Sequence, residues 1–425
     1  MRKIKDSGVA WIGVIPENWQ LLSVGALFKV RNEKVNDTDY PPLSVTKGGI
    51  VPQMESVAKS DATDNRKMVL KNDFVINSRS DRKQSCGVSP LDGSVSLINT
   101  VLYPVLNAPV LSDYLDYLLK NYGFAEEFYR WGHGIVADLW TTRWQEMKNI
   151  FLPIPPTEEQ QKIIFSISTQ MGKVDALIAN VQEQIEKLKA YKQSLITEVV
   201  TKGLDPNVPM KDSGVEWIGE IANNRSVYRL KYLLNTPLQY GANESGGKYT
   251  NDSVRYIRIT DICADGSLKN DEDNQYLSEK VALDYVLNDG DVLLARSGGT
   301  VGKSFLYHAE YGASAFAGYL IKADCNRDKL LPEFFVYYTQ SSLYDIWKSM
   351  IFVQATIQNI GANKYSNLEI PIPPVDEQRT LVKELKVLCS KIDSLIHIKQ
   401  QKIEKLEQYK RSLIYEYVTG KKEVS

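Results

Sequence analysis

The sequence predicts an α+β protein: two α/β globular domains, related by a pseudo-two-fold and joined by two long helices that form an antiparallel coiled coil. Three observations carry that prediction. The chain of 425 residues repeats itself at a separation of more than 200 residues. Each repeat closes in a run of about 40 residues whose apolar positions alternate in three- and four-residue steps. Between the repeated segments lie two regions of short strand-like stretches and Gly-rich turns that resemble each other far less.

The repeat is specific. KDSGVAWIGVI (Lys5 to Ile15) recurs as KDSGVEWIGEI (Lys211 to Ile221), and LPIPPTEEQ (Leu152 to Gln160) recurs as IPIPPVDEQ (Ile370 to Gln378). Val174 to Thr201 aligns with Ile392 to Thr419, and sixteen of those 28 positions are identical. Unrelated composition would match at about two. So long a period means a duplicated domain and not a solenoid. The openings differ in one respect. Pro16 and Trp19 follow the first, whereas the second has Ala222 and no tryptophan soon after Trp217.

Pro155-Pro156 and Pro373-Pro374 are each followed by acidic residues, a helix-start signature that complements the helix dipole. The first seam reads Ile164, Ile167, Met171, Val174, Ile178, Val181, Ile185, Leu188 and Leu195; the second reads Val382, Leu385, Cys389, Ile392, Ile396, Ile403, Leu406 and Leu413. Lys399 stands where Val181 stands, a polar residue suited to fixing register. Gly203 and Gly420 stop the helices, each expected to be about 60 Å long. The first helix delivers the chain through the short LDPNVPM linker into the second globular region, and the second helix leaves that region. Side-by-side packing is then antiparallel.

In the globular regions, RYIRITDI (Arg255 to Ile262) and DVLLAR (Asp291 to Arg296) read as strands, and each region reads as an α+β domain with a mixed, strongly twisted sheet. NDFVINSR (Asn72 to Arg79) is the first-region echo of GDVLLAR (Gly290 to Arg296). Leu111 to Phe128 and Leu331 to Trp347 read as counterpart helices.

Composition narrows the function. Lys+Arg is 51 and Asp+Glu is 52, which excludes a protein that grips nucleic acid by bulk charge alone. By region, residues 1–151 carry 18 basic and 17 acidic side chains, and residues 211–369 carry 16 and 20. Four scattered cysteines without CxxC spacing fit a reducing, cytoplasmic setting. The start of the chain has no apolar signal core, and no run is apolar enough to span a membrane. His133, His308 and His397 are isolated, so no metal set follows from spacing.

SGGTVGKS (Ser297 to Ser304) nearly spells a phosphate-binding loop, with Lys303 and Ser304 as the phosphate lysine and the magnesium hydroxyl. The following FLYHAEYG looks like strand or turn, not the helix such a loop needs. Strand-end basic and amide residues are the more informative pattern. Lys47, Arg79, Arg82, Lys83, Gln84, Arg143, Arg255, Arg258, Arg296, Lys303 and Gln358 are candidate DNA contacts, with Gln354 beside the last. Arginine matches guanine edges and phosphates, and Gln matches adenine.

The WIG-IPE-W opening, the IPIPP-x-x-EQ helix starts, the IEKL-x-x-YK-x-SLI helices, and YIRITDI followed by GDVLLARSGGTVGKS resemble the DNA specificity (S) subunit of type I restriction–modification enzymes. The resemblance covers essentially the whole chain. It implies a first target recognition domain at 1–151, a first conserved helical region at 152–205, a second recognition domain at 206–369 and a second helical region at 370–425. Each recognition domain would read one half of a split, asymmetric sequence in double-stranded DNA, with the helices as a ruler for the gap. The implied partners are two modification (methyltransferase) subunits and restriction (translocase and nuclease) subunits. S-adenosylmethionine, ATP and Mg would belong to those partners, with no cofactor or catalysis in this chain. Two alternatives stand beside it: a nucleotide-binding enzyme built on Ser297–Ser304, and an inactive or inhibitory scaffold.

Overall fold

A computed structural model of the chain describes residues 2–53, 65–79, 82–134, 140–263, 266–269, 272–353 and 358–424. Gln354 lies outside these residues. The chain forms two compact units: residues 1–182 with 400–425, and residues 183–399. Each long helix therefore contributes a stretch to both units.

The helices run Thr157–Lys202 and Val375–Val418. Each begins directly after its Pro-Pro pair and carries two acidic residues in its first turn. At 46 and 44 residues they exceed the expected length and reach about 65–70 Å. Gly203 (φ +91°) and Gly420 (φ +73°) end them in the left-handed region that glycine enters without steric cost.

Within the first unit, Ile163 and Ile167 of the first helix share a core with Leu413, Tyr417 and Val418 of the second, and Lys410 meets Asp175 at 2.5 Å. Within the second unit, Ile196, Val199 and Val200 share a core with Leu381, Leu385 and Cys389, and Lys192 meets Asp393 at 2.7 Å. There Lys399 donates to Gln184 at 2.5 Å. Lys192 to Asp393 and Gln184 to Lys399 step backwards along one helix as they step forwards along the other, so the packing is antiparallel. Of the seam residues, Ile167, Val174, Val181, Ile185, Leu385, Cys389, Ile392 and Leu413 are buried. Ile164, Met171, Ile178, Leu188, Leu195, Val382, Ile396, Ile403 and Leu406 are half-buried. Two details differ from the sequence pattern. Ile163 lies deeper than Ile164, and Ile196 deeper than Leu195. At those ends each helix also packs on a globular core, which rotates the buried stripe off a pure two-helix seam.

The globular parts share a frame. The first unit holds an antiparallel four-stranded sheet in the order Cys86–Val88, Phe74–Asn77, Asn99–Pro104, Phe28–Val30. The second holds the same order in Ser304–Leu306, Val292–Ala295, Leu320–Ala323, Gln239–Tyr240. Each central strand follows a buried aspartate, Asp73 or Asp291, that accepts the N–H three residues back, from Leu70 at 2.9 Å or Asn288 at 2.7 Å. A second sheet in the second unit joins Ser253–Ile257 antiparallel to Gln275–Ser278 and parallel to Ser314–Phe316, so that unit is mixed. In each unit a short strand, Gln20–Ser23 or Ser226–Arg229, pairs with the strand that leads into the long helix, Phe151–Ile154 or Glu369–Ile372.

Three sequence expectations are corrected in detail. Leu111–Phe128 and Leu331–Trp347 each form two consecutive helices, Ser112–Lys120 with Tyr122–Arg130, and Pro332–Tyr338 with Ser342–Val353. Asn121 makes one break by accepting the Phe124 N–H at 3.1 Å, and Ser341 the other by accepting the Tyr344 N–H at 3.4 Å. RYIRITDI is a strand only to Ile257, because Ile259–Asp261 turns into a 3-10 helix as Asp261 reaches back to the Arg258 N–H at 2.8 Å.

The two openings build the same turn. Asp6 accepts the Gly8 N–H at 3.0 Å and Asp212 the Gly214 N–H at 2.9 Å. Lys5 donates to the Glu17 carbonyl at 2.9 Å and Lys211 to the Asn223 carbonyl at 2.8 Å. They differ where the sequences differ. Trp19 is buried beside Gly420 at the end of the second helix, whereas its repeat position holds the fully buried Arg225 beside Gly203 at the end of the first. Arg225 donates to the helix-end carbonyls of Thr201 (2.6 Å) and Val199 (3.1 Å) and meets Glu377 at 3.4 Å. A cation at a helix C-terminus complements the dipole.

Candidate nucleic-acid interface

In both units some of the candidate contacts lie past the end of the central strand: Arg79, Arg82, Lys83 and Gln84 after Phe74–Asn77, and Arg296 and Lys303 after Val292–Ala295. In the second unit, Val292–Ala295 is wholly buried and Arg296 is the first residue beyond it. The Arg296 N–H donates to the Tyr319 carbonyl at 3.0 Å, and its carbonyl accepts the Ile360 N–H at 2.8 Å. Its guanidinium lies over the Tyr240 ring, 4.8 Å from the centroid, and Nη1 donates to the Gly318 carbonyl at 3.4 Å. Ser297 bridges Asn359, which brings Gln358 to the same loop cluster. Lys303 closes the hairpin, its carbonyl accepting the Ala295 N–H at 2.8 Å, with its side chain exposed.

That hairpin disposes of the near-phosphate loop. After Lys303 the chain continues as the strand Ser304–Leu306, not as the helix that a phosphate-binding loop needs. The Ser304 hydroxyl is paired with Thr339 at 2.5 Å instead of being free for magnesium.

Arg255 and Arg258 sit along the second sheet, and both are committed within the unit. Arg255 donates to the Lys269 carbonyl and to Asn274 at 3.3 Å. Arg258 grips Asp261 with two nitrogens, at 2.7 and 3.2 Å, and the Asp273 carbonyl at 2.9 Å.

In the first unit, Arg79 bridges Thr141 and is exposed, as are Arg82 and Lys83. The Lys83 ammonium lies 3.9 Å from the Tyr129 ring centroid and 3.3 Å from Glu126. Tyr129 packs on Trp140, with centroids 5.8 Å apart, and its carbonyl accepts the indole N–H at 2.9 Å. Gln84 holds a positive φ of 63° on this turn, and Arg79, Lys83, Gln84, Tyr129 and Trp140 line one small cavity of about 20 Å³. Arg143 precedes the short helix Trp144–Met147 and lines an open groove of about 440 Å³ with Lys67, Ser78 and Thr141. Lys47 is exposed on the turn of the hairpin Leu43–Thr46/Gly49–Pro52.

The aromatic partners Tyr240, Tyr129 and Trp140 were not among the candidates. Tyr240 precedes Arg296 by 56 residues, and no local pattern joins them. Among the described residues no group of His, Cys, Asp and Glu could hold a metal, and no helix is long and apolar enough to cross a membrane.

Residues 235–408 match the family model described as the type I restriction modification DNA specificity domain. The putative type I restriction enzyme MjaX specificity subunit of Methanocaldococcus jannaschii is 23% identical over 96% of this chain and 95% of its own length. The chain is thus similar along its length to the type I restriction–modification specificity subunits. The MjaVIII specificity subunit of the same organism is 26% identical over 64% of this chain, and the alignment spans 62% of that subunit, under two thirds of it. Among solved structures, a chain from a study of complex assembly and conformational transition in a type I restriction–modification system superposes with a TM-score of 0.66 at 16% identity. The match covers 95% of this chain and 98% of that chain, and shows a shared fold.

Proposed function

We propose that this chain is a specificity subunit that reads a split, asymmetric sequence in double-stranded DNA for a type I restriction–modification complex. Residues 1–151 form the first target recognition domain and residues 206–369 the second. Helical regions 152–205 and 370–425 set the spacing between half-sites and scaffold two modification subunits. Restriction subunits join that assembly in the cytoplasm. The chain itself catalyses nothing; S-adenosylmethionine, ATP and Mg serve the partners.

The observation that supports this most is one frame with two unlike surfaces. Both units repeat the same sheet order, buried aspartate and helix start. Past the central strand, one presents Arg79, Lys83 and Gln84 beside Tyr129 and Trp140, and the other presents Arg296 on Tyr240. Shared frames suit shared partners, and unlike loops suit unlike half-sites. Near-neutral charge fits a subunit whose partners supply most phosphate contacts.

The test is co-expression with the cognate modification subunit, followed by mapping of adenine methylation across the host DNA. A single bipartite motif with two unlike halves and a fixed gap is expected. A complex that assembles and methylates no motif would replace this reading with the inactive or inhibitory scaffold.

A further inference from the structure

We infer that Tyr240 is a positioning residue that holds the Arg296 guanidinium to read a guanine in the half-site recognised by the second unit; this rests on the DNA-recognition reading above. The backbone of Arg296 is fixed on both sides, by the Tyr319 carbonyl and the Ile360 N–H. Tyr240 is fixed as well, because its hydroxyl accepts the Ala362 N–H at 2.9 Å. The guanidinium over its ring face is therefore held in position.

The group is oriented but unsatisfied. Arg225, Arg229, Arg258 and Arg327 of the same unit each meet a carboxylate. Arg296 meets none among the described residues. Its Nε is buried with no acceptor there, and Nη1 has only the long contact to Gly318. A guanidinium carries five donors, and a buried unpaired donor is unfavourable. The buried Nε is closed to a base, so an acceptor ligand would meet the two Nη groups at the half-exposed end of the side chain. Guanine presents two acceptors, O6 and N7, at the spacing of a guanidinium fork, whereas adenine presents a donor beside its acceptor. Tyr240 and Tyr319, 42% and 67% exposed, leave this end of the strand open to solvent.

The experiment uses the full chain assembled with its modification subunit. Methylation is measured on duplexes carrying the mapped motif and on every single-base variant of it. Arg296→Lys keeps the charge but loses the fork, and is expected to lose roughly 5- to 150-fold discrimination at one guanine-containing base pair. Tyr240→Leu is expected to lose roughly 2- to 30-fold at the same pair. Tyr240→Phe, which retains the ring, should recover most of that loss. The half-site read by the first unit should stay as it was, which separates a local effect from misfolding. Unchanged discrimination in Arg296→Lys would overturn the inference. So would uniform weakening across all sequences with a shallower salt dependence, which assigns Arg296 to a phosphate. Absence of any bipartite motif in the wild-type complex would instead remove the recognition reading itself.

Discussion

Gln160 and Gln378, 218 positions apart, make the same three hydrogen bonds. Each is fully buried in the first turn of a long helix. Each side-chain oxygen accepts a backbone N–H, from Leu111 or Leu331, at 2.8 Å. Each amide nitrogen donates to a loop carbonyl, Pro109 or Lys329, at 2.8 Å and to the first proline of the Pro-Pro pair at 2.9 Å. One side chain thus ties the start of the long helix to the start of a domain helix, which explains the glutamine in both PIPP-x-x-EQ motifs.

Gln160→Leu and Gln378→Leu should each lower stability by about 2–4 kcal/mol, because buried backbone groups lose their partners. Urea unfolding of each variant checks this. Gln161→Leu, at an exposed position, should stay within about 0.5 kcal/mol of wild type.

Arg225→Ala should cost about 2–4 kcal/mol, since the Val199 and Thr201 carbonyls lose a buried cationic donor and Glu377 loses its partner. Burial alone lowers the Arg225 pKa, and Glu377 opposes that shift, so the side chain stays charged across the physiological range. The cost should therefore be the same at about pH 6 and about pH 8. A cost that changed between those pH values would contradict it.

The coiled coil should depend on its apolar seam. Leu385→Ala is expected to cost about 2–5 kcal/mol. Lys192→Ala, which removes the exposed pair with Asp393, should cost less than about 1 kcal/mol, and high salt should erase the difference from wild type. Thermal unfolding at two salt concentrations reads both.

Thiol labelling should separate the four cysteines. Cys86, Cys325 and Cys389 are buried, and Cys263 is partly exposed. Burial pushes the Cys86 thiol up to about 12 and raises those of Cys325 and Cys389 as well. Thiolate is the reactive form, so these three should stay unlabelled in the native chain even at about pH 9. One thiol per chain should react in buffer and four in denaturant, counted by mass.

One heptad inserted into each long helix at matching points should lengthen each by about 10 Å. The methylated motif should keep both halves and change its gap. Altered halves with an unmoved gap would sink the ruler.

Much of the frame was legible because the chain can be compared with itself. The seam could be read residue by residue, since helix geometry converts a three–four spacing into a stripe. Misplaced ends have local causes. Asn121 and Ser341 split the domain helices by capping, and Asp261 turned a strand into a 3-10 helix by reaching back to Arg258. At the candidate site, the strand-end rule placed Arg296 but could not separate it from Arg258, whose guanidinium is spent on Asp261.

By itself the sequence determined the duplication, the two long helices with their starts and stops, and the loops where basic residues cluster. Repetition and periodicity are properties of one dimension, and they survive without knowledge of what lies opposite. The tertiary structure alone decided which cations are held on aromatic rings and which are consumed by neighbours. Tyr240 reaches Arg296 because Gln239–Tyr240 and Val292–Ala295 both pair with Leu320–Ala323. Strand order sets that proximity, and strand order comes from burying both faces of the sheet at once, a condition no single segment records.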